Sequence, residues 1–198
     1  MPRWLPAILL APVLLSCSSI LGGKDPHLPG DGIGVYKLEA TIDATSTCTE
    51  LLASAPRPWV FDVTLRRDHA KAYWMASAEA IDGSIDDGKG AMTFHSTSQT
   101  DVHGVDKKRQ VGACSIVRTD DFTGAFAGPT SAATPTAPAT SIASFTGTLH
   151  YTYAIAAGSD CSDVVGVASA ERPTPIFAAL PCQAHFAVTA TRTGDAPK

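Results

Sequence analysis

The side chains best suited to chemistry in this sequence are five cysteines and six histidines. The histidines are His27, His69, His95, His103, His150 and His185. No two of them have the i, i+4 spacing with which common zinc hydrolases bind their metal from one helix. No C-x2-C pair occurs either, since the nearest two cysteines are Cys161 and Cys182. The sequence therefore predicts neither a metal site nor a cofactor.

Motifs of nucleophilic catalysis and of phosphate binding are absent as well. The chain contains no G-x-S-x-G, no P-loop and no G-x-G-x-x-G. Its paired acids, Asp86-Asp87 and Asp120-Asp121, would point to opposite faces of a strand or lie in turns, which prevents them from sharing a substrate. They are expected to solvate the surface. We therefore predict no catalytic residue and no enzyme activity.

Charge and composition exclude a nucleic-acid partner and favour one domain. The chain of 198 residues has 15 Lys and Arg against 19 Asp and Glu, a formal net charge of −4. Its densest basic cluster, Lys107-Lys108-Arg109, lies beside Gly104 and Asp106, as is typical of a solvated turn. A hydrophobic content of 44% is enough for one domain with a core.

The beginning of the chain has the layout of an export signal. Met1-Pro2-Arg3 is a short basic start, Trp4 to Leu15 is an apolar run, and the small Ser16 directly precedes Cys17. A membrane-spanning helix needs about 20 apolar residues, and this shorter run also contains prolines. Residues 1–16 are therefore predicted to be a signal peptide.

The residues Leu14-Leu15-Ser16-Cys17 resemble the lipobox of bacterial lipoproteins. In that family the cysteine thiol is diacylglycerylated, the peptide is cut just before it, and the new amino terminus is acylated. The resemblance implies that Cys17 is lipidated and that the membrane is a partner through this anchor. Ser18 and Ser19, with no Asp after the cysteine, imply an exported protein of the outer membrane. The alternative is an ordinary signal peptide that contains a cysteine.

Residues 17–33 are predicted to be a flexible tether because their Gly, Pro and Asp content does not pack. The stretch 128–143, rich in Pro, Thr and Ala, is predicted to be a long, disordered loop.

From residue 34 onward, apolar residues recur with a period of two, which indicates half-buried strands. The inward positions predicted for three of the strands are Tyr36, Leu38, Ala40 and Ile42, then Trp59, Phe61, Val63 and Leu65, then Ala184, Phe186, Val188 and Ala190. Asp62, Thr64 and Arg66 are assigned to the outer face, as are His95, His150 and His185. Gly124 and Gly147, each in a Phe-Thr-Gly triplet, are expected to mark a β-bulge or a bend where the sheet must curve.

Eight or so strands with short turns predict an all-β fold over residues 34–194. We expect a single antiparallel up-and-down meander that closes into a barrel, with a Greek-key β-sandwich as the alternative. The runs Ile81-Asp82-Gly83-Ser84-Ile85 and Phe145-Thr146-Gly147-Thr148-Leu149, together with the cysteines, resemble uncharacterised bacterial lipoproteins with a lipocalin-like repeated hairpin layout. That family has no agreed activity.

Two disulfides are predicted from the four cysteines that remain after Cys17, because an exported chain meets an oxidising compartment. These cysteines are Cys48, Cys114, Cys161 and Cys182. Because successive strands run in opposite directions, we expect all four cysteines to lie at the same end of the barrel. Cys161 and Cys182 flank a single loop, so we favour Cys161–Cys182 with Cys48–Cys114. The rival pairing, Cys48–Cys182 with Cys114–Cys161, follows if the first and last strands are neighbours.

Two functions are compatible with these features. The first is a non-enzymatic structural or interaction protein of the cell envelope, with other envelope proteins as partners. The second is a barrel that binds a small apolar or amphipathic molecule. Small inward residues motivate the second function, since Ala40, Gly147, Ala184 and Ala190 would leave room in the interior.

Overall fold

Eight antiparallel β-strands form a closed barrel. In the computed structural model, residues 29–48, 57–76, 80–86, 90–108, 110–127, 142–166 and 176–197 are described. The strands are β1 (Asp31–Ile42), β2 (Trp59–Asp68), β3 (Lys71–Met75), β4 (Ala80–Asp86), β5 (Ala91–His103), β6 (Cys114–Phe126), β7 (Ser144–Ile155) and β8 (Cys182–Gly194). Each strand pairs with the next, and β8 pairs with β1. The predicted up-and-down barrel is confirmed and the β-sandwich is excluded.

The predicted signal peptide, Cys17 and the tether up to residue 28 lie outside the described residues, as do residues 128–141 of the predicted loop. Ile142 is described, and its carbonyl accepts a hydrogen bond of 3.1 Å from the Tyr36 hydroxyl. None of the described residues forms a helix long and apolar enough to span a membrane.

Alternation of apolar and polar residues decides which side of each strand faces the barrel interior. Tyr36, Leu38 and Ala40 of β1 are buried, and so are Phe186 and Val188 of β8. The faces predicted for these strands are correct. Ile42, Trp59 and Phe61 also pack against the core but are only partly buried.

Aromatic side chains fill the lower half of the barrel, the end at which β1 begins and β8 ends. Tyr36, Trp74, Phe94, Phe122 and Phe145 form one cluster, whose neighbouring ring centroids lie 4.9–6.3 Å apart. Full burial of an aromatic side chain of this kind stabilises a fold by about 1.5–3 kcal/mol. This cluster therefore contributes substantially to the stability of the lower half.

Gly124 and Gly147 do not mark bulges. They face each other in a β6–β7 ladder that runs without a register shift. A Cβ atom on Gly147 would lie 2.5 Å from Cζ of Phe122, and one on Gly124 would lie 2.7 Å from the same ring. The bulge alternative was wrong, because the two glycines accommodate the close approach of Phe122 to the sheet and not an extra residue.

The barrel begins earlier than predicted, because β1 starts at Asp31, inside the segment 17–33 assigned to a tether. Arg66, which was assigned to the solvent-exposed face of β2, is only 2% exposed. Its guanidinium donates hydrogen bonds to the carbonyls of Pro29 (2.8 Å), Gly30 (2.7 Å) and Pro197 (2.6 Å). These contacts hold the segments before β1 and after β8 against the lower end of the barrel, so the domain includes residues on both sides of the predicted bounds of 34 and 194.

All four cysteines form disulfides at the upper end of the barrel, as predicted, but the favoured pairing was wrong. The bonds are Cys48–Cys182 and Cys114–Cys161, which is the rival pairing. Barrel closure explains the first, because the segment after β1 lies beside the start of β8, where the Cys48 N–H donates to the Gln183 carbonyl at 3.1 Å. The second joins the loop after β7 to the first residue of the neighbouring β6.

Candidate functional site

Among the described residues, the upper half of the barrel wall has a gap between β2 and β5. β3 and β4 are short, so the β2–β3 ladder ends at the pair Thr64–Met75 and the β4–β5 ladder ends at Gly83–Phe94. Above these pairs β2 continues to Trp59, paired with β1, and β5 continues to His103, paired with β6. In the described part of the chain, the barrel wall is therefore continuous below and open between β2 and β5 above the ends of β3 and β4.

A cavity of about 340 Å³ lies behind this gap. Its lining consists of Trp59, Phe61, Trp74, Ala76, Ile81, Phe94, Arg118, Asp120, Phe122, Leu149 and Tyr151. Trp74, Phe94 and Phe122 belong to the lower aromatic cluster and separate the cavity from the filled half of the barrel. Small-molecule sites in proteins occupy about 300–1,000 Å³, so this cavity suits a ligand at the small end of that range.

A second group of aromatic rings forms the upper wall of the cavity. The ring centroid of Trp59 lies 4.5 Å from that of Phe61 and 6.0 Å from that of Phe186, and Tyr151 lies 5.8 Å from Phe186. Trp59 and Phe61 face inward as predicted but stay partly exposed, because β3 ends before it reaches them and no other described strand pairs with that side of β2. Flat apolar surface is therefore accessible from the gap.

One ion pair lies among these rings. Arg118 and Asp120 occupy the same face of β6 as Phe122, which directs both side chains inward. Arg118 donates from Nε to Oδ1 of Asp120 (2.7 Å) and from Nη2 to Oδ2 (2.8 Å). The Asp120 side chain is 10% exposed and that of Arg118 45% exposed. The guanidinium carbon lies 5.1 Å from the ring centroid of Tyr151, within the range of a cation–π contact.

Burial controls the electrostatics of this cavity. Desolvation raises the pKa of the Asp120 carboxyl above its ordinary value, while Arg118 opposes that shift. Desolvation also works against the charge of Arg118, but the hydrogen bonds and charge of Asp120 outweigh it and raise the pKa of the guanidinium. Burial raises the pKa of the Tyr151 and Tyr153 hydroxyls, so both phenols stay neutral. The cavity thus combines apolar surface with one pair of balanced charges.

The side chains of this cavity are suited to binding. The described residues that line it include no Cys, His, Ser or Lys that would serve as a nucleophile or a metal ligand. Across the described part of the chain, no three His, Cys, Asp or Glu side chains converge as a metal site.

Two features of the site differ from the sequence prediction. Asp120 was expected to solvate the surface, yet it is buried in the cavity, while Asp121 points outward as its neighbour on the strand must. The sequence did contain a signal for the burial of Asp120. Ile116 and Phe122 lie an even number of residues from Asp120 in the same strand, so all three side chains are on one face. The small residues expected to leave room do not line the cavity. Ala40, Ala184 and Ala190 are buried in packed regions, and Phe122 occupies the space beside Gly147.

Comparison of the chain with protein-family models, with curated proteins and with solved structures finds no match.

Proposed function

We propose that this protein is an exported, lipid-anchored binding protein of the bacterial outer membrane that holds a small apolar or amphipathic molecule in the side cavity of its barrel. The cavity of about 340 Å³ behind the gap between β2 and β5 is the observation that carries the binding role. The lipid anchor rests on the resemblance of Leu14-Leu15-Ser16-Cys17 to a lipobox. The protein binds without catalysing a reaction.

The lining favours a ligand with a flat apolar body. Trp59, Phe61 and Phe122 present ring faces or edges to the cavity, and aromatic contacts of this kind contribute about 0.5–1.5 kcal/mol each beyond the burial of area. Arg118 adds hydrogen-bond donors at one side, which would orient a polar end of the ligand. Because Asp120 balances the charge of Arg118, a neutral polar end fits better than a carboxylate.

Mass spectrometry of the protein extracted from its native membrane tests both parts of this proposal. We expect a chain that begins at Cys17, carries acyl groups there, contains two disulfides and retains a small molecule under non-denaturing conditions. A mature chain without acyl groups would refute the anchor. Persistent absence of any co-purified or added ligand would refute the binding role.

A second candidate function is attachment to another envelope protein. Residues 96–101 of β5 lie above the end of the β4–β5 ladder, and most of them are exposed. No described strand pairs with this edge, and an unpaired strand edge accepts an added strand from a partner. Photocrosslinking from Gln99 in intact cells, compared with Lys37 on the outer face of β1, would test this role. Identical products at both positions would remove the β5 edge from consideration.

A further inference from the structure

The inner face of β5 carries two hydroxyl groups beside the ion pair of the cavity. Phe94 is buried on this face, and the β5–β6 ladder has no register shift between Phe94 and Ser98, so Ser96 and Ser98 face the same way. The register places Ser96 opposite Asp120 and Ser98 opposite Arg118. Directly opposed residues of an antiparallel pair have Cβ atoms about 4.5–5.5 Å apart. Ser96 is half-buried and Ser98 is exposed, so both hydroxyls are accessible.

The ion pair itself keeps groups for hydrogen bonds with a ligand. Of the five N–H groups of Arg118, two bind Asp120 and one reaches the Tyr153 hydroxyl, so two remain within the described part of the chain. Each carboxylate oxygen of Asp120 accepts one of these bonds and keeps a lone pair for another. The polar side of the cavity therefore offers donors, acceptors and two hydroxyls that act as either.

Tyr151 connects this polar group to the aromatic wall. Its ring centroid lies 5.1 Å from the guanidinium carbon of Arg118 and 6.3 Å from the ring centroid of Trp59. Trp59 is only half-buried, and it lines the cavity. Apolar ring surface and hydrogen-bonding groups thus border the same space within the reach of one small ring.

A sugar ring has the chemistry that matches these two kinds of surface. Its faces carry C–H groups, which pack on aromatic rings, and its rim carries hydroxyls that each donate and accept. A carboxylate on the ligand would be repelled by Asp120, and an ammonium group by Arg118. A single amide is neutral, but it has fewer groups than the polar side can bind.

We propose that the polar end of the ligand is a sugar ring, so that the cavity binds a glycoside with an apolar aglycone. The aglycone lies against Trp74, Phe94 and Phe122, and the sugar lies between Trp59 and the ion pair, with Ser96 and Ser98 at its edge. This inference rests on the proposed binding function and adds the chemical class of the ligand.

The test compares three fluorescent probes that share one coumarin body and differ in their polar end. They are 4-methylumbelliferyl β-glucoside, 7-acetamido-4-methylcoumarin and 7-methoxy-4-methylcoumarin. Each is titrated into the full-length protein in phosphatidylcholine nanodiscs, which avoids sugar-based detergents, and empty nanodiscs correct for partition into lipid. We expect the glucoside to bind at least tenfold more tightly than the other two, because several hydrogen bonds add to the burial of the shared body.

Two sets of variants connect this preference to the named side chains. In the double variant Ser96→Ala/Ser98→Ala, the preference for the glucoside over the methoxy probe should fall about threefold or more. Thr97→Ala, between them on the outer face of β5, is the matched control and should leave the preference unchanged. Arg118→Met/Asp120→Leu removes both charges together, so neither is left buried and unpaired, and should abolish the preference.

The outcomes separate this inference from the binding function on which it rests. Saturable binding of all three probes with similar affinity would overturn the sugar and leave the cavity as a ligand site. An equal affinity of the acetamido probe and the glucoside would do the same, as would a preference that the folded serine and ion-pair variants retain. Failure of every probe to bind saturably would refute the binding function itself, and the sugar with it. Circular dichroism verifies that each variant is folded.

Discussion

Arg118 and Asp120 form a side-on ion pair inside the barrel, two positions apart on one face of β6, with N–O distances of 2.7 and 2.8 Å. Inward-facing charges are costly in a packed core, because their hydration is lost. Here the gap between β2 and β5 leaves the Arg118 side chain 45% exposed. The pair is therefore tolerated at the edge of the cavity, where it gives an apolar site a polar end without a net charge.

Replacing Asp120 with asparagine should change which ligands the cavity prefers. Asp120→Asn removes the charge that balances Arg118, so the guanidinium becomes available to an anionic ligand. We expect the affinity for an anionic aromatic probe, anilinonaphthalene sulfonate, to rise about tenfold relative to the neutral probe N-phenylnaphthylamine. Fluorescence titration measures both affinities. Asp121→Asn, on the outer face, is the matched control and should leave the ratio unchanged.

The same substitution should have little effect on folding. Water reaches Arg118 through the gap and solvates it once the carboxylate is gone, so the free energy of unfolding should change by about 1 kcal/mol. An unchanged probe preference in folded Asp120→Asn would contradict the assignment of this ion pair to the ligand site.

Arg66 should be essential for the lower end of the barrel. Arg66→Met removes the donor to the carbonyls of Pro29, Gly30 and Pro197, and charged hydrogen bonds of this kind are strong. We expect the free energy of unfolding to fall by about 2–4 kcal/mol in urea denaturation, with faster amide exchange in the segments that contain Gly30 and Pro197. Arg67→Met, at the next position of β2 on the other face, should cost well under half as much. Equal losses would show that the three carbonyl contacts contribute little.

Gly147 should not tolerate a side chain. In Gly147→Ala the new Cβ would lie 2.6 Å from the Thr123 carbonyl oxygen and 2.9 Å from Cα of Gly124, both backbone atoms that have no room to move within a paired sheet. Overpacking of this kind costs about 1–3 kcal/mol, measured as a loss in the free energy of unfolding. Gly104→Ala is the control, because nothing lies within 4 Å of its Cβ position. A stable Gly147→Ala variant would contradict the close packing of Phe122 against β6 and β7.

Asp160 should make part of the stability depend on pH. Its carboxyl accepts hydrogen bonds from the N–H groups of Gly112 (3.0 Å) and Ser162 (3.2 Å), and the Gly112 bond is the main cause of its lowered pKa. Because the pKa of Asp160 is lower in the folded than in the unfolded state, its ionised carboxylate stabilises the fold at pH values above 3.8. This contribution is lost as the pH falls through the folded-state pKa. Asp160→Asn should therefore be less stable than the wild type at pH 7.

The difference between wild type and Asp160→Asn should narrow in urea denaturation as the pH is lowered from 7 towards 3. A difference that is constant over this range would show that the negative charge of Asp160 is not what strengthens these bonds.

The barrel was predictable from the sequence because most of its strands carry a local alternation of apolar and polar residues. Tyr36, Leu38 and Ala40 alternate with polar residues, and so do the inward residues of β8, which is enough to assign their faces. The chain order of the strands then favoured a meander. Features that depend on contacts distant in sequence were missed. The burial of Arg66 requires Pro197, and the disulfide pairing requires closure of β8 on β1.

The cavity was not predictable in the same way. The gap exists because β3 and β4 are short. The run Tyr73-Trp74-Met75 of β3 predicts neither where the strand ends nor which of its side chains face inward. The alignment of His95, Asp121, His150 and His185 on the outer face of the barrel depends on the relative register of four strands, β5 to β8. The alternation of apolar and polar residues within one strand gives no information about its register with the neighbouring strands.

The most direct test of the binding role is a fluorescence titration with N-phenylnaphthylamine of the wild type, Ala76→Trp and Ala80→Trp. Ala76 lines the cavity just after β3, so an indole there should block the gap, whereas Ala80 begins β4 on the outer face. We predict saturable binding with energy transfer from Trp59 and Trp74 in the wild type and in Ala80→Trp, and at least tenfold weaker binding in Ala76→Trp. Absence of saturable binding to the wild type, or equal binding by all three proteins, would contradict a ligand site in the barrel.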